Sequence, residues 1–110
     1  MIIDLMKTPE QVMENFKGGE GTTYARMFFD GTNRVMLGRL PQGSTIGMHT
    51  HETNSEIMHV VSGTALVIMD GAEEIIEAGQ THYCPKGHTH TTMCAPGCHE
   101  LVIFAVVPEQ

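Results

Sequence analysis

From Thr22 onward the chain is written in short runs of alternating apolar and polar residues, each closed by a glycine- or proline-bearing turn. "TTYARMFFD" and "NRVMLGRL" flank the turn signal "DGTN" and predict a hairpin. "LPQGS" predicts another turn. "EIMHVVSG" and "TALVIMDG" follow one another across Ser62-Gly63, and "EEIIEAG", "QTHYCPKG", "HTHTTMCAPG" and "HELVIFAVVPEQ" complete the series. Strands recurring at spacings of roughly 8–12 residues indicate an all-β sandwich or barrel. The beginning differs. "TPEQVMENF" predicts a short helix, with Thr8 as N-cap, Pro9 at the first helical position and Gln11 completing a capping box. "KGGEG" should end it. The organisation expected is an N-terminal helix and loop extension over 1–21 and an all-β domain over 22–110.

At 110 residues there is room for one domain with a modest core, and 41% hydrophobic residues is a globular composition. Charge narrows the partners. A net charge of −7, with 6 Lys/Arg against 13 Asp/Glu, predicts neither a nucleic-acid nor an anionic-membrane partner. The apolar runs are too short to span a bilayer, and Asp4 stands where a signal peptide would be positive, so a cytoplasmic protein is expected. Three cysteines, Cys84, Cys94 and Cys98, are an odd number and read as free thiols rather than as a disulfide framework.

Histidine is the unusual component. Six of the seven fall between His49 and His90. Residues i and i+2 of a strand share a face, so His49 and His51 project together while Thr50 points away. Glu56 has the wrong parity for that same strand, but the polar kink "ETNS" starts a new series in which Glu56, Met58 and Val60 face inward and Ile57, His59 and Val61 face outward. A site of three imidazoles and one carboxylate could draw His49, His51 and Glu56 from one hairpin and His90 from another. Borderline and harder divalent metals accept such a donor set.

Gly43, His49, His51, Glu56 and Gly63 match the pattern G-x5-H-x-H-x(3,4)-E-x6-G, and Gly79, Pro85, Gly87 and His90 match G-x5-P-x-G-x2-H-x3-N up to its last position, where Cys94 replaces asparagine. The chain thereby resembles the cupin superfamily over roughly Thr22 to Pro108, as a small single-domain RmlC-like member. The resemblance implies a double-stranded β-helix (jelly-roll) barrel and a homodimer. It also implies one divalent transition metal per chain (Mn, Fe, Ni, Co, Cu or Zn), held by His49, His51, Glu56 and His90. The missing asparagine is not a ligand of the family; Cys94 shares the parity of His90 and is read as a small core residue before a soft donor.

Other polar residues are weighed against plainer roles. His59 is expected at the surface or an interface, and His88 in a solvated turn. One of His82 and Tyr83 must face the interior, where either would serve as a general acid or base. "CAPGCH" is better explained as a turn at Pro96-Gly97 than as a zinc site. The nine methionines, Met27 and Met36 among them, read as core filler and a pliable cavity wall. Arg34 and Arg39 read as solvated charges, with carboxylate binding the alternative for Arg34. The function expected is a metal-dependent enzyme acting on a small polar or carboxylate-bearing molecule, of dioxygenase, isomerase or lyase type. The alternative is a non-enzymatic metal and small-ligand binding or sensor module.

Overall fold

The computed structural model describes residues 1–109, which form strands β1 (Gln11–Glu14), β2 (Thr22–Phe29), β3 (Arg34–Pro41), β4 (Thr45–Thr50), β5 (Glu56–Ser62), β6 (Thr64–Met69), β7 (Ala72–Glu77), β8 (Thr81–Cys84), β9 (Thr89–Cys94) and β10 (Glu100–Val107). All pairings are antiparallel. One sheet has the order β1-β2-β3-β10-β5-β8 and the other β4-β9-β6-β7. The two sheets face each other as a jelly roll, the barrel that the alternating pattern predicts. The chain passes from one sheet to the other at Gly63, whose φ of +80° and close approach to the Glu100 carbonyl both demand a residue without Cβ.

The expected N-terminal helix is corrected. Residues Leu5–Lys7 make a single 3-10 turn, and Gln11–Glu14 are a strand paired with β2 in the register Gln11↔Ala25 to Glu14↔Thr22. Thr8 does not cap a following helix; its hydroxyl donates to the Asp4 carbonyl and its amide to Leu5, closing the preceding turn. A helix of some nine residues is marginal on its own, whereas an open sheet edge offers every backbone group of the segment a partner. Within the strand Met13 packs against the core while its neighbours Val12 and Glu14 stay exposed, a period of two rather than 3.6.

Alternation builds the core. Leu101, Ile103 and Ala105 of β10, Met58 and Val60 of β5, Leu40 of β3 and Ala65 and Val67 of β6 are at most 1% exposed. Ile57, Val61 and Phe104, one residue out of step, face the solvent. Burying each large apolar side chain contributes about 1.5–3 kcal/mol relative to leaving it exposed. Buried polar side chains, His82 of β8 and His90 of β9 among them, lie inside the barrel beside this core.

Candidate metal centre

His49 lies directly opposite His90 in the β4–β9 ladder. The register shifts between Ile46 and His49, a bulge at Gly47-Met48 that turns Met48 outward and leaves Ile46 and His49 on the same cavity although they are three residues apart. Just beyond β4, His51 is pinned to the β8–β9 turn: its N–H donates to the His88 carbonyl (3.0 Å) and its carbonyl accepts from Gly87 N–H (2.6 Å). Residues 52–55 then cross to the other sheet, where Glu56 opens β5. Three imidazoles thus come from one sheet and the carboxylate from the other.

The four side chains converge. The Nε2 atoms of His49, His51 and His90 lie 3.0, 3.1 and 3.2 Å from one another, and the Glu56 oxygens lie 3.7 Å from His51 Nε2 and 3.5 Å from His90 Nε2. These are the groups that could hold a metal ion, with one ligand atom from each lying within 4.8 Å of every other. With metal–imidazole bonds of about 2.1 Å, two ligands at right angles sit about 3.0 Å apart and two at the tetrahedral angle about 3.4 Å. The observed spacing fits three mutually perpendicular positions.

Hydrogen bonds on the far side of each ring set the proton positions. His49 Nδ1 donates to the Gly47 carbonyl (2.7 Å) and His51 Nδ1 to Asn54 Oδ1 (2.7 Å). His82 Nδ1 donates to the Glu74 carboxylate (2.9 Å), so the neutral His82 ring presents a lone pair at Nε2, which accepts from His90 Nδ1 (3.0 Å). Each of the three rings therefore carries its proton on Nδ1 and turns an Nε2 lone pair toward the same point. Three lone pairs about 3 Å apart repel one another unless a cation lies between them, and this is the outer-shell arrangement that fixes ligand tautomers.

Burial reinforces that state. Desolvation, aided by the neighbouring imidazoles, lowers the pKa of His90 to about 3, and desolvation likewise lowers His49. Glu56 is raised to about 7 by desolvation, against which the Lys17 ammonium pulls. A bound cation would reverse the preference of Glu56 and draw it into the carboxylate form. His49, His51 and Glu56 line a cavity of about 220 Å³, with Lys17 and Arg34 as its cations and Phe16, Met27, Met36, Ile46, Ala105 and Val107 as apolar walls.

The other candidates separate by face. His82, opposite Met58, is buried and touches His90 and Glu74 rather than the cavity. Tyr83, opposite Ile57, is 55% exposed on the outer face of the barrel and is not brought to the cluster. His88 is half-buried in the turn before β9 and bonded to Asp70, and His59 points outward to the Thr81 hydroxyl. Cys94 lies in the core beside Cys98, its thiol pushed up to about 12 by burial and by that neighbour, and all three cysteines are free. Arg39 is held by Glu10 and Glu100 over the Tyr24 ring, far from any solvated default.

A family model described as a cupin domain matches residues 36–106. The chain belongs to the cupin family. Among curated relatives, this cupin is 29% identical over 90 residues to the oxalate-binding protein of Thermotoga maritima, a match that covers 76% of this chain and 74% of that one. Solved structures with the same fold include a predicted oxalate decarboxylase of Thermotoga maritima, with a TM-score of 0.90 and 23% identity over 100% of both chains. They also include KdgF from Halomonas sp., with a TM-score of 0.78 and 17% identity over 100% of this chain and 94% of that one. An RmlC-like cupin from Shewanella frigidimarina superposes with a TM-score of 0.75 and 19% identity over 96% and 86% of the two chains.

Sequence reasoning missed the supporting residues of this cupin's site. Asn54 falls within the polar kink "ETNS", Glu74 within the strand "EEIIEAG" with no role of its own, and Lys17 within the "KGGEG" that should end the expected helix. Only the strand parity of Glu74 on β7 hinted that one acid of "EEIIE" turns inward.

Proposed function

We propose that this cupin holds one divalent transition metal (Mn, Fe, Co, Ni, Cu or Zn) through His49, His51, Glu56 and His90 and uses it to bind a small carboxylic acid. The convergence of three Nε2 lone pairs, each fixed by a hydrogen bond at Nδ1, carries this reading. A cavity of about 220 Å³ lies below the roughly 300–1,000 Å³ of sites for drug-sized ligands, so the occupant is small. The metal would supply a Lewis acid that polarises a ligand oxygen. The chain's own residues orient that ligand: Lys17 and Arg34 offer positive charge, and the methionines and Phe16 exclude water. The relative named for oxalate binding makes oxalate the first acid to test.

Turnover, of dioxygenase, isomerase or lyase type, needs a group that moves a proton at the bound acid. Tyr83 faces away, and both ring nitrogens of His82 are engaged, which leaves Glu56 and Lys17 as the groups within the cavity. That scarcity supports the second reading, a non-enzymatic binding or sensor module. The protein is further read as cytoplasmic and homodimeric, with residues 1–21 an extension of the 22–110 barrel and no nucleic-acid or membrane partner. No helix among the described residues is long and apolar enough to cross a membrane. The exposed row of Ile57, Val61, Tyr83 and Phe104 on β5, β8 and β10 supports a second copy packing there.

The test is direct. Protein purified without chelators should carry about one equivalent of metal by mass spectrometry, lost in His49→Ala and His90→Ala; retention in both variants overturns the site. Consumption of oxalate by the metal-loaded protein alone selects the enzyme, and saturable binding without consumption selects the module. A dimer in sedimentation that becomes monomeric in Val61→Asp supports the interface.

A further inference from the structure

The segment Asn15–Gly19 crosses the cavity mouth as a strap, and its backbone is unusual. Asn15 (φ 50°) and Lys17 (φ 57°) are both left-handed, followed by Gly18 (φ 78°). Asparagine and glycine tolerate that region; lysine does not favour it, and holding an ordinary residue there costs about 1–2 kcal/mol. Such strain persists only where the surroundings enforce it, and it gathers at sites that need a side chain aimed in one direction.

The surroundings do enforce it. Gly19 and Gly47 bring the strap and β4 into backbone contact, so that a Cβ on Gly47 would overlap the Lys17 carbonyl and one on Gly19 would overlap the Thr45 carbonyl. Thr45 N–H donates to the Glu20 carbonyl (2.8 Å), Glu20 N–H to Thr45 Oγ1 (2.8 Å), and Thr22 N–H to Ser44 Oγ (3.2 Å). The strand stapled in this way is the one that carries His49. The strap thereby sets Lys17, exposed to solvent with its ammonium 5.7 Å from the centre of the Phe16 ring, at the rim of the same cavity that His49, His51 and Glu56 line.

The charge at that place is selective. The chain has 6 Lys/Arg side chains against 13 acidic ones, yet both Lys17 and Arg34 line this one small cavity. Arg34 is braced there, its guanidinium 4.5 Å from the centre of the Phe29 ring and within 3.6 Å of the Met27 sulfur. The Lys17 charge is felt by both Glu56 and His49. A divalent ion held by the Glu56 carboxylate and met by one ligand carboxylate is already neutral, so the Lys17 ammonium beside them is a further positive charge.

We infer that Lys17, held at the cavity rim by the strained strap, is a specificity residue that binds a second anionic group of the ligand, so that the site takes small dicarboxylates in preference to monocarboxylates. This rests on the metal-centred reading above. Lactate and malate share a 2-hydroxycarboxylate head suited to a metal, and malate adds one carboxylate. In titration calorimetry of the protein in its metal-loaded form, malate should bind at least about tenfold more tightly than lactate, the scale of one charge-assisted contact. Lys17→Met should bring the two acids within about twofold of each other. Lys17→Arg should restore the preference. Metal content and melting temperature should match the unaltered protein in both variants, because Lys17 is not a ligand and the backbone strain is unchanged by either substitution. A malate preference that survives Lys17→Met, or its absence from the unaltered metal-loaded protein, overturns the role of Lys17 and leaves the metal reading standing. An unaltered protein that takes up no metal overturns both.

Discussion

Removing the Glu74 carboxylate probes the metal centre from its far side. Glu74 accepts from His82 Nδ1, which makes His82 an acceptor for His90 Nδ1–H and leaves His90 Nε2 deprotonated. In Glu74→Ala, His82 is free to carry its proton on Nε2 and donate to His90 Nδ1, which moves the His90 proton to Nε2 and points it into the cluster. A metal must then reverse the tautomer before it binds. Loss of such an outer partner weakens metal binding by about 10–100-fold. Here water can replace the acid, since the Glu74 side chain is 41% exposed, so the expected loss is about tenfold, or 1.4 kcal/mol. The same exposure means the metal-free protein should melt within about 2 °C of the unaltered one, because surface substitutions usually change stability by less than about 0.5 kcal/mol. Competition with a chromophoric chelator measures the affinity, and thermal unfolding in excess chelator measures the second quantity. Equal metal affinity in Glu74→Ala and the unaltered protein would refute the tautomer chain. Equal losses of affinity and metal-free stability would reduce Glu74 to a structural residue.

Other consequences follow from the same geometry. The Glu56 carboxyl has a folded pKa of about 7 against 4.5 for the free group, so it favours the fold fully below pH 4.5 and loses that contribution as pH rises to about 7, on the order of 3 kcal/mol in all. His90, with its folded value lowered, acts with the opposite slope below its ordinary range. Comparing metal-free protein with Glu56→Gln by urea unfolding at several pH values isolates the Glu56 part; a pH-independent difference would contradict it. Ile103→Ala removes a side chain 1% exposed in the core and should cost about 2–5 kcal/mol in urea unfolding; a loss below about 1 kcal/mol would mean that the barrel core is not packed as described. Gly47→Ala should push the strap off β4 and speed hydrogen exchange of the Glu20 and Thr45 amides; unchanged exchange would show that the two backbones do not touch.

The sequence alone determined most of the barrel and the convergent cluster. Alternation is a local property, so the inward faces of β5 and β10 and the pairing of His49 with His51 can be read wherever a strand is uninterrupted. The glycine and proline spacings around His49 to Gly63 and Gly79 to His90 add the turns that separate those strands, and they carry the resemblance to cupins. Registers between distant segments belong to the tertiary structure. Whether His82 or Tyr83 turns inward depends on β8 pairing with β5, so that His82 meets Met58 and Tyr83 meets Ile57. The Glu74–His82–His90 chain needs three strands to arrive at matching heights, and no one strand records that. The N-terminal segment shows the same division most sharply. Its capping pattern is locally helical, but the open edge of β2 and the glycine contact with β4 make it a strand and a strap. Backbone partners supplied by distant parts of the chain outweigh a helical preference of a few tenths of a kcal/mol per residue.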